Sequence, residues 1–263
     1  MAVSILCASL ALAVHTPARL AQASRLVSAV FPGEDSYWDR LAIGRAAQLG
    51  TSNANPIVYV PGSIGCSVDT SLTYGEFDLE FFATLTNEAL TRGGRKAAGQ
   101  TFVDVGSGCG RLVFAAAALW PTLDRCIGIE VVELLHTLAL EATPRAKSEL
   151  ELVNCDVQQQ QPEVHLVCED ALQGLARLAG GVPVCAFAYS STWPCVGMTL
   201  TDFSLACSSL PPGSRVVTID KVLAIDDPCL HGSQLLATLE GPNTETGGTS
   251  LGYIWEIGNR PDA

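Results

Sequence analysis

Residues 101–130 read TFVDVGSGCGRLVFAAAALWPTLDRCIGIE, and this stretch decides the fold. Three β-favouring residues lead into Asp104. A loop follows with Gly106, Gly108 and Gly110, then an Ala-rich apolar helix, then a second strand ending in Glu130. Strand, glycine turn, helix, strand and acid in that order make the βαβ half of a doubly wound nucleotide-binding sheet. A chain that leaves a strand and enters a helix within a few residues needs unusual backbone angles and a close approach to its ligand, and glycine permits both. Glu130, at the end of the second strand, can accept two ribose hydroxyls.

The loop departs from the dinucleotide fingerprint. The sixth place of G-x-G-x-x-G is Arg111, and the third glycine comes early, as G-x-G-x-G. Asp104 stands two residues before the loop, where a carboxylate repels a pyrophosphate but suits a ligand carrying an ammonium and a sulfonium. S-adenosylmethionine (SAM) carries both. The alternative is a glycine turn that holds no ligand.

Working outward, the rest of the chain supplies the remaining units. Phe77, Phe81, Phe82, Leu85, Ala89 and Leu90 recur at helical spacing, so a helix is expected over Asp78–Arg92, stopped by Gly93-Gly94. Tyr74-Gly75-Glu76 precedes it, either as a cap loop with a dipole-favoured acid or as a flap over the cofactor's amino-acid end with Glu76 near the ammonium. After Glu130 a helix is expected over Val131–Ala142, and residues 143–162, with Pro144 and Gln158–Gln161, read as helix followed by a polar loop. A third strand, Val164–Cys168, ends at Asp170, which can accept an adenine amino group, cap the next helix, or do both. A fourth strand, Val182–Ala188, runs into Tyr189-Ser190-Ser191-Thr192-Trp193-Pro194, a loop placed at the carboxyl end of the sheet where ligands bind. A helix over Met198–Leu210 and a fifth strand over Arg215–Ile219 follow. Ser233–Glu240 and Thr249–Ile257, joined by GPNTETGG, read as an antiparallel hairpin. The expectation is an α/β, Rossmann-like seven-stranded class I methyltransferase sheet with helices on both faces and a C-terminal antiparallel hairpin.

Composition narrows the function classes. Hydrophobic residues make up 48% of 263, enough for a large core, and the net charge is −12. Residues 1–33 hold Arg19 and Arg25 and no acid, which leaves −14 on the remainder. So acidic a body does not favour direct nucleic-acid binding, which needs a cationic footprint. The ten cysteines form no C-x-x-C pair and no Cys/His cluster, so neither a zinc site nor a disulfide scaffold is expected. This favours a reducing compartment.

Residues 1–33 differ from the rest. Val3–Val14 is apolar but too short to span a bilayer, and Ala21-Gln22-Ala23 could serve as a small-x-small cleavage site. The segment reads as a targeting region, with an N-terminal helix of the domain as the alternative; residues 34–263 then form one domain. An organelle would be the destination of a transit segment, and the cytoplasm or nucleus otherwise.

Several stretches together resemble a known family. TYGEFDLEFFATLTNEA, FVDVGSGCGRLVFAAA, CIGIEVVELLHTLA, LVCEDAL and LPPGSRVVTIDK look like the non-SET histone-lysine methyltransferases of the disruptor-of-telomeric-silencing type, over roughly residues 73–221. The resemblance implies a class I SAM fold with Tyr74 and Glu76 in a flap. Asp104, Gly106, Ser107, Gly108 and Gly110 would form the cofactor loop, Glu130 would hold the ribose and Asp170 the adenine. It implies methylation of a protein lysine, a histone being the family's acceptor. Three places differ: Ser190-Ser191 stand for paired asparagines, Ala171 follows Asp170 where the family has an aromatic, and the body is acidic where the family has a basic nucleosome-binding tail. With Tyr189, the two serines are the expected positioning groups for the acceptor. A small-molecule or non-histone acceptor, or a non-catalytic SAM-fold binding protein, are the other readings.

Overall fold

The computed structural model describes residues 16–48, 73–155 and 161–259. The apolar run Val3–Val14, the short strand expected at Val58–Val60, the loop at Pro61–Asp69 and most of the Gln158–Gln161 tract lie outside them. Seven strands form one sheet: β1 (Thr101–Val105), β2 (Arg125–Glu130), β3 (Glu163–Cys168), β4 (Val184–Ala188), β5 (Arg215–Ile219), β6 (Gln234–Asn243) and β7 (Gly248–Glu256). Their order across the sheet is β3-β2-β1-β4-β5-β7-β6. The first five are parallel, and β7 runs antiparallel between β5 and β6. The expected sheet and its terminal hairpin are therefore present. The order reverses between β1 and β4, so the carboxyl ends of those strands open a crevice.

Helices cover both faces. On one lie α1 (Pro17–Val30), α3 (Leu79–Thr91), α4 (Arg111–Leu119) and α5 (Glu133–Val153); on the other lie α6 (Ala171–Ala179) and α7 (Thr201–Cys207). Helix α2 (Glu34–Gln48) lies near the glycine loop, its Tyr37 and Ile43 packing against Tyr74 and Cys109. Phe82, from α3, is fully buried and meets Phe187 of β4 edge-to-face at 5.1 Å and Phe102 of β1 at 5.7 Å. Burying a phenyl side chain contributes ~1.5–3 kcal/mol, so this cluster anchors α3 on the central strands.

Helix α4 explains the N-terminal region. Every residue from Leu112 to Leu119 is buried, and a helix apolar on all sides must be covered on all sides. The sheet covers one side and α1 the other, through Ala23, Leu26, Val27 and Val30 at helical spacing. Thr16 caps α1 by accepting from the Arg19 amide, Pro17 sits at its first turn, and Arg19 Nη1 donates to Asn154 Oδ1 at 2.9 Å. Residues 17–30, which fall in the segment read as a targeting region, pack in this core.

Other boundaries moved for local reasons. Helix α5 runs without a break through Pro144 to Val153, joining the helix expected over Val131–Ala142 to the one expected after it. Proline removes one N–H, but Pro144 is exposed and Ala146, Leu150 and Val153 are buried beyond it. The α7 region shortens, because Val196 and Thr199 exchange backbone hydrogen bonds around a left-handed Gly197. Strand β6 absorbs Gly241-Pro242-Asn243. Pro242 is tolerated because β6 is an edge strand. Gly241 is needed because a Cβ there would lie 2.3 Å from the Phe81 ring.

Candidate functional site

A cavity of about 510 Å³ opens at the carboxyl ends of the central strands, within the range of small-molecule sites. Tyr74, Glu76, Asp104, Gly106, Ser107, Gly108, Glu130, Asp170 and Tyr189 all line it. Gly110, Ser190 and Ser191 do not.

Asp104, on β1, is 3% exposed. Among the described residues no donor or cation meets its carboxylate. Burial, and then the charge of Glu130, push its pKa up to about 8. A buried carboxylate facing a cavity without a counter-ion is the donor set a cationic ligand fits. Glu130 ends β2, where its two oxygens accept from the Gly108 and Val132 amides, each at 2.7 Å. Burial raises its pKa and those amides oppose the rise. Each oxygen keeps a lone pair for a hydroxyl. Asp170 caps α6, accepting from the Leu172 amide at 2.9 Å, so the cap and the cavity position coincide.

Two loop glycines are required for different reasons. Gly108 has φ +53, and a Cβ there would lie 2.8 Å from the Tyr74 ring. It lets the flap close on the loop. Gly110 caps α4 at φ +83, where a Cβ would press on Phe114 at 3.1 Å. Its role is packing rather than ligand contact.

The flap is held by residues the sequence reading did not single out. Tyr74 is buried, and its hydroxyl donates to Glu76 at 2.9 Å. Arg40, from α2, donates through Nε to the Tyr74 hydroxyl at 2.9 Å and to Glu76 at 3.0 Å, and Nη2 also pairs with Glu76. Arg111 stands 3.5 Å from the other Glu76 oxygen and donates to the Phe77 carbonyl at 2.8 Å. Glu76 lines the cavity, but its charge is met by two guanidinium groups. Asp104 is therefore the better partner for an ammonium. Glu245, at the β6–β7 turn, accepts from the Glu76 amide at 2.7 Å and from the Tyr189 hydroxyl at 3.4 Å. A side chain at Gly75 would collide with that carboxylate at 2.7 Å. Arg111 was visible beside the loop; Arg40 and Glu245 carry no local signal.

The serine pair lies elsewhere than expected. Ser190 is fully buried, donating to the Ile219 carbonyl at 2.8 Å and accepting from the Ile219 amide at 3.0 Å. Ser191 donates to Asp220 at 2.6 Å, and Lys221 Nζ donates to the Trp193 carbonyl. Three residues of the loop after β4 are thus fastened to three consecutive residues at the end of β5. Asp220 adopts φ +59, among the described residues the one non-glycine with a positive φ, and it also accepts from Ser250 and the Leu251 amide. The serines shape the loop, and only Tyr189 of the expected trio reaches the cavity. No group of metal-ligating side chains occurs among the described residues, and no described helix is long and apolar enough to cross a membrane.

Residues 67–165 match the sequence model of the family described as histone methylation protein DOT1. The match spans the flap, the glycine loop and both acids of the βαβ unit. The fold is similar to that of an rRNA methyltransferase, aviRa from Streptomyces viridochromogenes, in two structures. At 14% identity, one covers 73% of this chain and 91% of that one with a TM-score of 0.50. The other, also at 14%, covers 70% and 86% with a TM-score of 0.51. This is the class I SAM-dependent methyltransferase fold. A precorrin-6y C5,15-methyltransferase from Geobacter metallireducens GS-15 is also similar, at 16% identity, covering 69% of this chain and 89% of that one with a TM-score of 0.44. No curated protein sequence matches the chain. The chain thus has the fold of SAM-dependent methyltransferases, and its residues 67–165 are similar to the DOT1 family.

Proposed function

We propose that the chain transfers a methyl group from SAM to the side-chain amine of a protein lysine, of the histone type. The match of residues 67–165 to a histone methylation family carries this reading. The charge of the cavity supports it. Glu76, Asp104, Glu130, Glu169, Asp170 and Asp202 line it, and Arg111 is the one basic side chain among its described lining residues. Such a surface attracts a cationic acceptor and repels a polyanionic one.

SAM supplies an electrophilic methyl on a sulfonium; the protein supplies placement. Asp104 would hold the ammonium, Glu130 the ribose hydroxyls and Asp170 the adenine amino group. Tyr189 would position the acceptor. Burial and the neighbouring Glu245 carboxylate raise its pKa well above the phenol range, so it stays a neutral phenol that donates to Glu245 and offers its oxygen to an N–H of the acceptor amine, whose lone pair is left for the methyl carbon. Holding the acceptor in line supplies most of the rate enhancement in such a displacement. Ser190 and Ser191 contribute by fixing the loop that carries Tyr189.

The test begins with calorimetric titration of S-adenosylhomocysteine into the full chain, with Glu130→Ala as the control. Saturable binding lost in the variant is expected. Methyl-labelled SAM is then offered with nucleosomes, free histones and a metabolite extract. Label on histone lysine supports the proposal; label only in the small-molecule fraction moves the acceptor to that class. Binding without transfer to any of the three would favour a non-catalytic binding role.

A further inference from the structure

The cavity has two chemically different walls. The flap, Arg111 and Tyr189 form one, on the sheet face that carries α3 and α4. The other belongs to the face that carries α6 and α7. On that second wall Asp170, Ala171 and Leu172 of the α6 start stand with Trp193, Leu200 and Phe203. Its polar group, Asp170, can bond the edge of a heteroaromatic ring. Ala171 is too small to cover the face of one, which leaves that face to the neighbouring aromatic side chains of the same wall.

Trp193 is placed to cover it. It is partly exposed, it lines the cavity, and its ring meets Phe203 edge-to-face at 5.2 Å and 89°. Phe203 is 3% exposed and forms a rigid backing. The indole reaches the cofactor loop: a Cβ on Gly106 would lie 3.5 Å from its Cζ2. The backbone is fixed at both ends, since the Trp193 amide donates to the Ser190 carbonyl at 3.0 Å and its own carbonyl accepts from Lys221. A ring locked in this way loses little entropy on meeting a ligand.

We infer that Trp193, backed by Phe203, is the aromatic platform for the adenine ring, and that the clasp from Ser190, Ser191 and Trp193 to residues 219–221 exists to position it. This rests on the reading of the cavity as a SAM site. It gives Trp193 a cofactor role and leaves the acceptor to the Tyr189 wall.

Two measurements on the full chain test the assignment. The first follows tryptophan fluorescence during titration with S-adenosylhomocysteine and, separately, with 5′-methylthioadenosine, which keeps the adenine and lacks the amino-acid end. Both should quench the wild type, and the quench should disappear in Trp193→Phe while calorimetry still shows binding within about threefold of wild type. The second compares Kd values. Trp193→Leu should bind S-adenosylhomocysteine about tenfold more weakly, or ~1.4 kcal/mol, and raise the KM for SAM with little change in kcat. An unaltered Kd in Trp193→Leu, with the KM for the acceptor raised instead, would overturn the inference and move Trp193 to the acceptor side. So would a quench that persists in Trp193→Phe, which decides the matter even if the leucine variant fails to fold. Failure of the wild type to bind either ligand would sink the SAM-site reading itself, a different outcome from binding that is indifferent to Trp193.

Discussion

The substitution Asp104→Asn should make the ligand-free protein more stable while removing its cofactor binding. The unfolded chain ionises this group near 3.8, whereas in the fold burial and Glu130 push it up to about 8. Between those pH values the folded protein therefore holds one proton more than the unfolded chain. Stability must fall as pH rises across that window, by ~1.36 kcal/mol per pH unit, and level off above 8. The full window amounts to about 5–6 kcal/mol for a site sealed from solvent. The cavity admits water at its mouth, which screens the ionised form and reduces the expected effect to ~2–4 kcal/mol. The asparagine variant has no proton to exchange at this position, so its advantage over the wild type should grow from pH 5 to pH 8.5 by ~0.5–2.5 kcal/mol, the part of the effect that lies above pH 5. Urea denaturation at the two pH values measures it. Equal gaps at both would show that Asp104 is ionised throughout, and the reasoning from its burial would fail. The same coupling predicts that S-adenosylhomocysteine binding at pH 7 releases up to one proton. Calorimetry in two buffers of different ionisation heat reads this directly.

Ser190→Ala removes the acceptor for the Ile219 amide and the donor to its carbonyl inside a sealed site. A stability loss of ~1–3 kcal/mol is expected, seen as a lower Tm. Any loss of transfer should follow the loss of loop order rather than precede it, so the variant assayed well below its Tm should keep most of its kcat. Arg40→Ala leaves Tyr74 and Glu76 without their main donor; Glu76 is partly exposed and retains Arg111, which limits the loss to ~1–3 kcal/mol. Faster proteolysis of the flap and weaker S-adenosylhomocysteine binding should accompany it, whereas an unchanged flap would show that Tyr74 packing on Gly108 suffices.

The local chemistry of the cofactor half was readable because it is local. Asp104, the glycine loop and Glu130 lie within one βαβ unit, where strand propensity, turn chemistry and helix entry fix positions over a few residues. Their spacing alone put two carboxylates and a set of backbone amides at one strand end. The apolar helix after the loop is legible in the sequence, but not what packs on its outer side. Tertiary structure decided that α1 does, because burial of Leu26 and Val27 depends on partners more than eighty residues away. It likewise decided which residues of the loop after β4 face the ligand. A loop has no periodicity to assign its side chains, and the pull of Asp220 and Ile219 turned both serines away while leaving Tyr189 and Trp193 on the cavity. Arg40 and Glu245 meet at the flap from opposite ends of the chain. Their charges act through space, and only the packed fold sets those distances.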